Sequence, residues 1–242
     1  VDFWGTLLHD GPGSDDRYRR ARLAAFEAIL AAAGEPVART ALERGYEASA
    51  TYLGMVWSAH RDVPVAAHVR VILAAVDPAL PDRLPGPVWD ALLDAYARPA
   101  LEVPPAVDPA ASGALRALRA RGLTLAVVSN TMRTPGVTLR RLLDRYGLLG
   151  CFAHTTFSDE VGVRKPAPDI FWLTLRALGA DPAGAVHVGD DAILDVAGAR
   201  AAGMRVIQVA PQPTAVATDP APDAVIASLD ALPETVASLD AR

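Results

Sequence analysis

Two acids and one ammonium, distant in sequence, are the groups of this chain best suited to chemistry on a polar substrate. Asp2 closes a short apolar run in Val1-Asp2-Phe3-Trp4-Gly5-Thr6-Leu7-Leu8. A strand that ends on an acid and turns through glycine delivers a carboxylate to the edge of a sheet, where it can serve as a nucleophile or a metal ligand. Asp190 stands in Gly189-Asp190-Asp191, with Asp195 one helical turn later, and Lys165 in Val163-Arg164-Lys165-Pro166. Of the 23 Lys and Arg residues, every one except Lys165 is Arg. In so biased a composition a single lysine is not a casual surface charge. Ser129-Asn130-Thr131, which follows another apolar run, adds a hydroxyl.

These groups can act together only if the elements carrying them share one rim. The second half of the chain alternates helix and strand. A helix near 109–121 leads into a strand over 123–128. Then come a helix near 136–146, a weak strand around 151–156 and a helix over 168–179. A strand over 185–188, a helix near 192–202 and a strand over 205–209 follow. Beyond a Pro-rich stretch at 211–222 lie Ala224-Val225-Ile226 and a final helix. Short continuous apolar runs are those of strands buried on both faces. Their alternation with helices predicts a parallel sheet covered on both sides. Ligands in such a sheet bind outside the carboxyl ends of the strands, and Asp2, Ser129 and Asp190 each terminate one. The first strand keeps only Val1 before Asp2 and looks truncated against the usual ~5 residues; an upstream targeting peptide is left open.

Between these parts the periodicity is helical. Leu23, Phe26, Ile29 and Leu30 form one stripe, and Leu42, Tyr46, Leu53 and Trp57 a second. Val65, Val69, Ile72, Leu73 and Val76 form a third, and Val88, Leu92 and Tyr96 a fourth. Four amphipathic helices in succession read as a bundle. Ser14 is expected as the N-cap of the first, after a loop at 9–14, and Arg17-Tyr18-Arg19-Arg20 as a solvated face. Tyr46, Tyr52, Trp57 and Trp89 are expected mostly in its core. The four prolines of 99–109 mark a linker. The expected architecture is α/β: a Rossmann-like parallel sheet core over 1–13 and 99–242, interrupted by a helical insertion over 14–98.

Composition narrows the function. A net charge of −5 gives a nucleic-acid partner no electrostatic support. No apolar run approaches the ~20 residues that span a bilayer. Cys151 has no internal partner for a disulfide, fits a reducing, cytoplasmic compartment, and reads as a small buried apolar residue. The partner expected is therefore a small molecule; the sequence does not give the oligomeric state. Two carboxylates among oxygen donors suit Mg²⁺. A hydroxyl, backbone N–H groups and an ammonium suit a phosphoryl group.

In this order and spacing the motifs resemble those of the haloacid dehalogenase (HAD) superfamily: Asp2-Phe3-Trp4-Gly5-Thr6-Leu7, Val128-Ser129-Asn130, Lys165-Pro166-Ala167-Pro168, and Gly189-Asp190-Asp191 through Asp195 to Ala202-Gly203-Met204. The resemblance covers essentially the whole chain, with the helices of 14–98 in the place of the family's helical cap. It implies that Asp2 is a nucleophile forming an aspartyl intermediate and also a Mg²⁺ ligand. Asp190 would be a direct ligand, and the Trp4 carbonyl a further one. Ser129 and Lys165 would bind the transferring group, assisted by N–H groups near Gly5, Thr6 and Asn130. Asp195 would support the metal ligands, and Asp191 could ligate or support.

Trp4 departs from the pattern. Phosphatases of the superfamily usually carry Asp there, and such an acid–base group contributes about 10²–10⁴-fold. Family dehalogenases carry an aromatic at this place, since a halide leaves without a proton, but typically lack the Gly-Asp metal motif. Phosphonoacetaldehyde hydrolases use a cap lysine, which this chain does not have. The leading expectation is a Mg²⁺-dependent phosphatase of small metabolites, with His9, Asp10, His60 or the substrate supplying the acid. The alternatives are a haloacid dehalogenase-like hydrolase, and a binding or regulatory module with weakened catalysis.

Overall fold

The computed structural model describes residues 1–211 and 219–240, so most of the Pro-rich stretch at 211–222 lies outside the described residues. Its strands are β1 (Leu8–His9), β2 (Ala106–Val107), β3 (Ala126–Ser129), β4 (His154–Phe157), β5 (Val186–Gly189), β6 (Arg205–Val209) and β7 (Ala224–Ile226). β3 and β4 pair in parallel, as do β5, β6 and β7 in that order. Val1 and Asp2 join the two groups. The Val128 N–H donates to Val1 O at 3.0 Å, and the Asp2 N–H donates to Val188 O at 2.8 Å. The spatial order is therefore β4, β3, Val1–Asp2, β5, β6, β7, and Asp2 occupies the middle of the sheet.

Side-chain alternation along the strands covers both faces. Val127 and Ile207 pack into a cluster with Phe3, Leu115, Leu118 and Leu139 on one side. Their neighbours Val128 and Val206 pack with Ile170, Phe171, Val196 and Ala199 on the other. Successive residues of a strand point to opposite faces, so a run that is apolar throughout needs helices on each.

The insertion has its own core. Helices α1 (Ser14–Ala32), α2 (Arg39–Ser58) and α3 (Val65–Val76), with a further helix at Gly86–Ala97, bury Leu23, Phe26, Leu30, Leu42, Val69, Ile72, Leu73, Leu92 and Tyr96 together. All of these belong to the four stripes. At Gly45 the backbones of α2 and α3 meet, for a Cβ there would lie 2.4 Å from Ile72 O.

Several local expectations are corrected. Ser14 is the first residue of α1 and not its cap, which is Gly13 at φ 68°; the Ser14 hydroxyl instead accepts from Arg17 Nη2 at 2.9 Å. The expected loop at 9–14 and the linker at 99–109 contribute one strand each to a ribbon, with Leu8 opposite Val107 and His9 opposite Ala106, antiparallel. Two-residue strands are too short to leave a periodic signal. Within the basic run, Tyr18 is buried and donates to Val103 O at 2.8 Å, and Arg19 pairs with Glu47 at 2.5 Å. Of the four aromatics, Tyr46 is buried and Tyr52, Trp57 and Trp89 are partly covered. Cys151 is free and buried.

A second connection ties the helical layer to the sheet. The turn between α2 and α3 runs against 162–164, where Arg61 and Val163 form an antiparallel bridge. The Asp62 N–H donates to Gly162 O at 3.2 Å, and the Arg164 N–H to His60 O at 3.1 Å.

Candidate active site

Because Val1 and Asp2 are hydrogen-bonded on both sides, the Asp2 carboxylate emerges between β3 and β5 at the carboxyl end of the sheet. Gly5 turns the chain at φ 77° and passes so near Asp190 that a Cβ would lie 2.4 Å from Asp190 Oδ2. No residue with a side chain fits both conditions. Thr6 Oγ1 donates to Asp190 Oδ1 at 3.2 Å, and Gln208 Nε2 donates to Asp190 O at 3.1 Å.

Asp195 lies in a π-helical turn, Ala192–Ala197, immediately after β5. Such turns recur at functional sites because they re-aim side chains. Asp191 caps this turn, its Oδ1 accepting from the N–H groups of Ile193 and Leu194, both at 2.8 Å. Its carboxylate is thus engaged away from the acids of the site. Asp195 by contrast faces inward, and a Cβ on Gly189 would lie 2.2 Å from its Cγ.

Lys165 Nζ donates to Asp2 Oδ1 at 2.5 Å and to Asp195 Oδ1 at 2.6 Å. Its backbone is held by Asn130, whose Nδ2 donates to Lys165 O at 3.0 Å and whose Oδ1 accepts from Lys165 N at 2.8 Å. The Asn130 side chain therefore fixes the lysine loop. Ser129 is wholly buried, its hydroxyl donating to Asn130 O at 3.3 Å.

Burial and mutual charge set the protonation of these groups. Burial pushes the Asp2 carboxyl up to about 7, with Lys165 opposing and Asp195 adding to the rise. Asp190 is also shifted upward, first by burial and then by the Asp195 charge. For Asp195 burial acts upward, but Lys165 and the bond from His187 overcome it and hold the group well below the usual carboxylate range. Lys165 is charged: burial disfavours the ammonium, yet Asp195 and Asp2 hold its pKa above the ordinary value. With all three carboxyls ionised, three negative charges face one positive charge.

One carboxylate oxygen from each of Asp2, Asp190 and Asp195 lies within 4.8 Å of the others. An all-oxygen donor set with surplus negative charge fits a hard divalent cation such as Mg²⁺.

A cavity of about 620 Å³ opens beside Trp4 and Gly5, lined among others by His9, Asp10, Arg22, Tyr46 and Arg133. Trp4 has a buried indole Nε1–H with no acceptor. Of the three residues expected to replace an acid at position 4, His9 and Asp10 line this cavity; His60 does not, being exposed beside the 162–164 segment.

Three features were not foreseen from the sequence. His187 donates from β5 toward Asp195, its Nε2 at 2.7 Å from Oδ1, and burial pushes its pKa down to about 4, so it is neutral. A polar residue inside an apolar strand was the available signal. Arg133, three residues beyond Asn130, enters the helical layer: Nη1 donates to Ser49 Oγ at 2.9 Å and to Tyr96 Oη at 2.8 Å, with the guanidinium 4.0 Å over the Tyr46 ring. Asp62 accepts from Ser158 Oγ at 2.5 Å, Trp57 Nε1 at 3.1 Å and Arg164 Nη1 at 3.2 Å. Neither arginine carries a sequence signal, because 22 of them look alike.

Comparison with known proteins points one way. The family model described as haloacid dehalogenase-like hydrolase matches residues 1–203. The chain is 40% identical over 101 residues to a phosphoserine phosphatase of Thermus thermophilus, covering 42% of this chain and 39% of that protein. It is 36% identical over 131 residues to a ribulose-1,5-bisphosphate 5-phosphatase of Halopiger xanaduensis, covering 54% and 53%. The matches thus span about half or less of these curated relatives. A solved 2-haloacid dehalogenase of Pseudomonas syringae superposes with a TM-score of 0.70 at 28% identity, covering 98% of this chain and 96% of that one.

Proposed function

The chain belongs to the haloacid dehalogenase-like hydrolases, and from that premise we propose that it is a Mg²⁺-dependent phosphatase of small phosphorylated metabolites. The observation that carries the reading is the meeting of Asp2, Asp190 and Asp195 with Lys165 at one rim of the sheet. The phosphatase names among its relatives point the same way. Among the described residues no helix is long and apolar enough to cross a membrane.

On this reading Asp2 is the nucleophile. Lys165 and Ser129 bind the transferring group, with backbone N–H groups near Gly5, Thr6 and Asn130. Asp2, Asp190 and the Trp4 carbonyl hold Mg²⁺, which when bound supplies Lewis-acid stabilisation of the phosphoryl oxygens. Asp195 keeps Lys165 charged and in place, and Asp191 holds the π-helical turn. The helical layer over 14–98 acts as a cap over the core of 1–13 and 99–242, so that small substrates are favoured. The test is a broad panel of phosphate esters with Mg²⁺. Phosphate release that is lost in Asp2→Asn supports the reading; no release from any ester ends it.

Trp4, with the superposition on a 2-haloacid dehalogenase, favours a second reading, displacement of halide by Asp2. Halide release from a 2-haloacid panel that survives EDTA would establish it, and absent release would remove it.

A further inference from the structure

Two guanidinium groups line the cavity beside Trp4 and Gly5, and among the described residues neither is paired with an acid. Arg22, on α1, is only 3% exposed. Its Nε donates to Tyr96 O at 2.8 Å, Nη1 to Tyr46 Oη at 3.2 Å and Nη2 to Arg133 O at 2.9 Å. Arg133 is half-buried, and its Nη1 is spent on the hydroxyls of Ser49 and Tyr96. The Tyr96 hydroxyl in turn lies 3.1 Å from His68 Nδ1. Burial, and after it the charges of Arg133 and Arg22, push the His68 imidazole down to about 3, so it is neutral. Every hydrogen-bond partner of the two cations is thus uncharged. Buried charges are ordinarily paired, and bonds to neutral acceptors leave this pair of like charges uncancelled.

The missing counter-charge can be met from the cavity. Arg133 Nε–H has no acceptor among the described residues, and it is not one of the sealed polar atoms. The acids that line the cavity are placed otherwise. Glu47 pairs with Arg19 at 2.5 Å, Asp10 accepts from Tyr18 Oη at 3.2 Å, and Asp15 and Asp16 are exposed in the first turn of α1. The cavity also adjoins the rim of the sheet: Trp4 and Gly5 line it two and three residues after Asp2, and Arg133 four residues after Ser129. Two residues span at most about 7 Å, so the Trp4 side of the cavity begins close to Asp2.

We propose that this cavity holds a subsite for a second anionic group, a carboxylate or a further phosphate on the part of the substrate that does not react, with Arg133 donating to it and buried Arg22 adding its charge from behind. This deepens the phosphatase reading above and rests on it. A substrate whose phosphoryl group meets Asp2 has the space beside Trp4 for its remainder, and an oxyanion there supplies the charge that the protein withholds from the two guanidinium groups. A charge-assisted hydrogen bond to an oxyanion is stronger than one to a neutral hydroxyl.

The test pairs substrates that differ in the second charge, with Mg²⁺ and the full chain: 3-phosphoglycerate against glycerol 3-phosphate, and 1,3-propanediol bisphosphate against 3-hydroxypropyl phosphate. The doubly anionic member of at least one pair should have the higher kcat/KM by about 10–100-fold, the worth of a hydrogen bond to a charged group. The pair that shows it identifies carboxylate or phosphate as the second group. Arg133→Gln should bring that ratio down toward one. Arg22→Lys, which keeps the charge, should retain more of it than Arg22→Gln, and equal ratios would remove Arg22 from the subsite. Arginines that merely brace the helical layer would lower Tm on substitution and leave the ratio unchanged, which would overturn the inference. Equal rates within both pairs would also overturn it, while phosphate release still upheld the phosphatase. A second measurement needs no turnover. In EDTA, malonate should change the tryptophan fluorescence saturably, since Trp4 and Trp57 line the cavity, and neutral malonamide should not. Arg133→Gln should weaken malonate binding by at least about tenfold. Release from none of the four esters, with malonate binding that depends on Arg133, would overturn the phosphatase reading alone; absent malonate binding as well would overturn both.

Discussion

Replacing Asp190 by Asn should change stability in opposite directions with and without a divalent cation. The carboxylate oxygens of Asp2, Asp190 and Asp195 lie within 4.8 Å of one another, and Lys165 already serves Asp2 and Asp195. Two unit charges at that separation repel by roughly 3 kcal/mol at an effective dielectric constant of ~20. Lys165 offsets part of this, and Asp190 is partly exposed, so solvent screening leaves a net repulsion on the order of 1 kcal/mol. Asparagine keeps the acceptor that Thr6 Oγ1 uses. In EDTA at pH 8, above the value of about 7 to which Asp2 is pushed, the variant should therefore be the more stable protein by about that amount.

With Mg²⁺ the order should reverse. A ligand at one hundred times its Kd stabilises the folded state by about 2.7 kcal/mol, and the variant has given up a charged oxygen ligand. The assay is urea unfolding followed by tryptophan fluorescence, in EDTA and across a Mg²⁺ titration, with m-values compared. Three outcomes would refute the reasoning. The wild type could show no Mg²⁺ shift, the variant could show the same shift, or the variant could be the weaker protein in EDTA. The last would mean that the surplus negative charge is not destabilising. None of these depends on knowing a substrate.

Three further substitutions test other parts of the structure. Arg164→Met leaves the buried Asp62 carboxylate hydrogen-bonded by Ser158 and Trp57 but without its counter-charge and should cost about 3 kcal/mol, much of it recovered in Arg164→Met/Asp62→Asn; a loss below about 1 kcal/mol in urea unfolding would show that the pair is not energetically isolated from water. Gly5→Ala forces a side chain at φ 77° and within 2.4 Å of Asp190 Oδ2, so Mg²⁺ affinity by calorimetry should fall about 10–100-fold, and unchanged affinity would sink the claim. Burial first pushes Asp159 up from 3.8 to about 6, against the hydrogen bond from Gly136 N. The folded state thus holds a proton that the unfolded state has released between those values, and this group's contribution to stability falls as pH rises from about 4 to 6. Asp159→Asn should therefore gain relative to the wild type between pH 4.5 and pH 7, and an equal difference at both pH values would contradict the burial argument.

The order of elements was legible because each carries its own period. The four helical stripes became the core of the insertion almost residue for residue, and the short apolar runs became β3, β5 and β6 with shifts of up to three residues at their starts. The rim acids were legible for a different reason: a parallel sheet places strand ends together whatever lies between them in sequence. The backbone of the rim follows from that rule, and the division of labour among side chains does not. Asn130 turned out to hold the lysine loop, through a backbone N–H and carbonyl far away in sequence, and Asp191 to cap a helical turn through the N–H groups that follow it. The ribbon of β1 and β2 was hidden by its brevity. Asp62 with Arg164, and Arg133 within the helical layer, are long-range pairings between residue types common everywhere in the chain, and nothing local distinguishes the members that pair.

Lys165 is where the fold and the chemistry bear on each other. Its ammonium sits between Asp2 and Asp195, and neutral His187 donates to Asp195 from behind. The negative charge of Asp195 keeps the lysine charged, and the charged lysine opposes the burial that pushes the Asp2 carboxyl upward. A carboxyl this buried stays ionised near neutral pH only while that ammonium is held against it. The holding comes from two directions. Asn130 fixes the Lys165 backbone from β3, while the adjacent Arg164 is anchored on Asp62 in the turn between α2 and α3. A displacement of the helical layer that breaks the Arg164–Asp62 pair would therefore pull on the residue that keeps Asp2 ionised. In this arrangement the seating of the helical layer and the charge state of Asp2 are coupled through two consecutive residues.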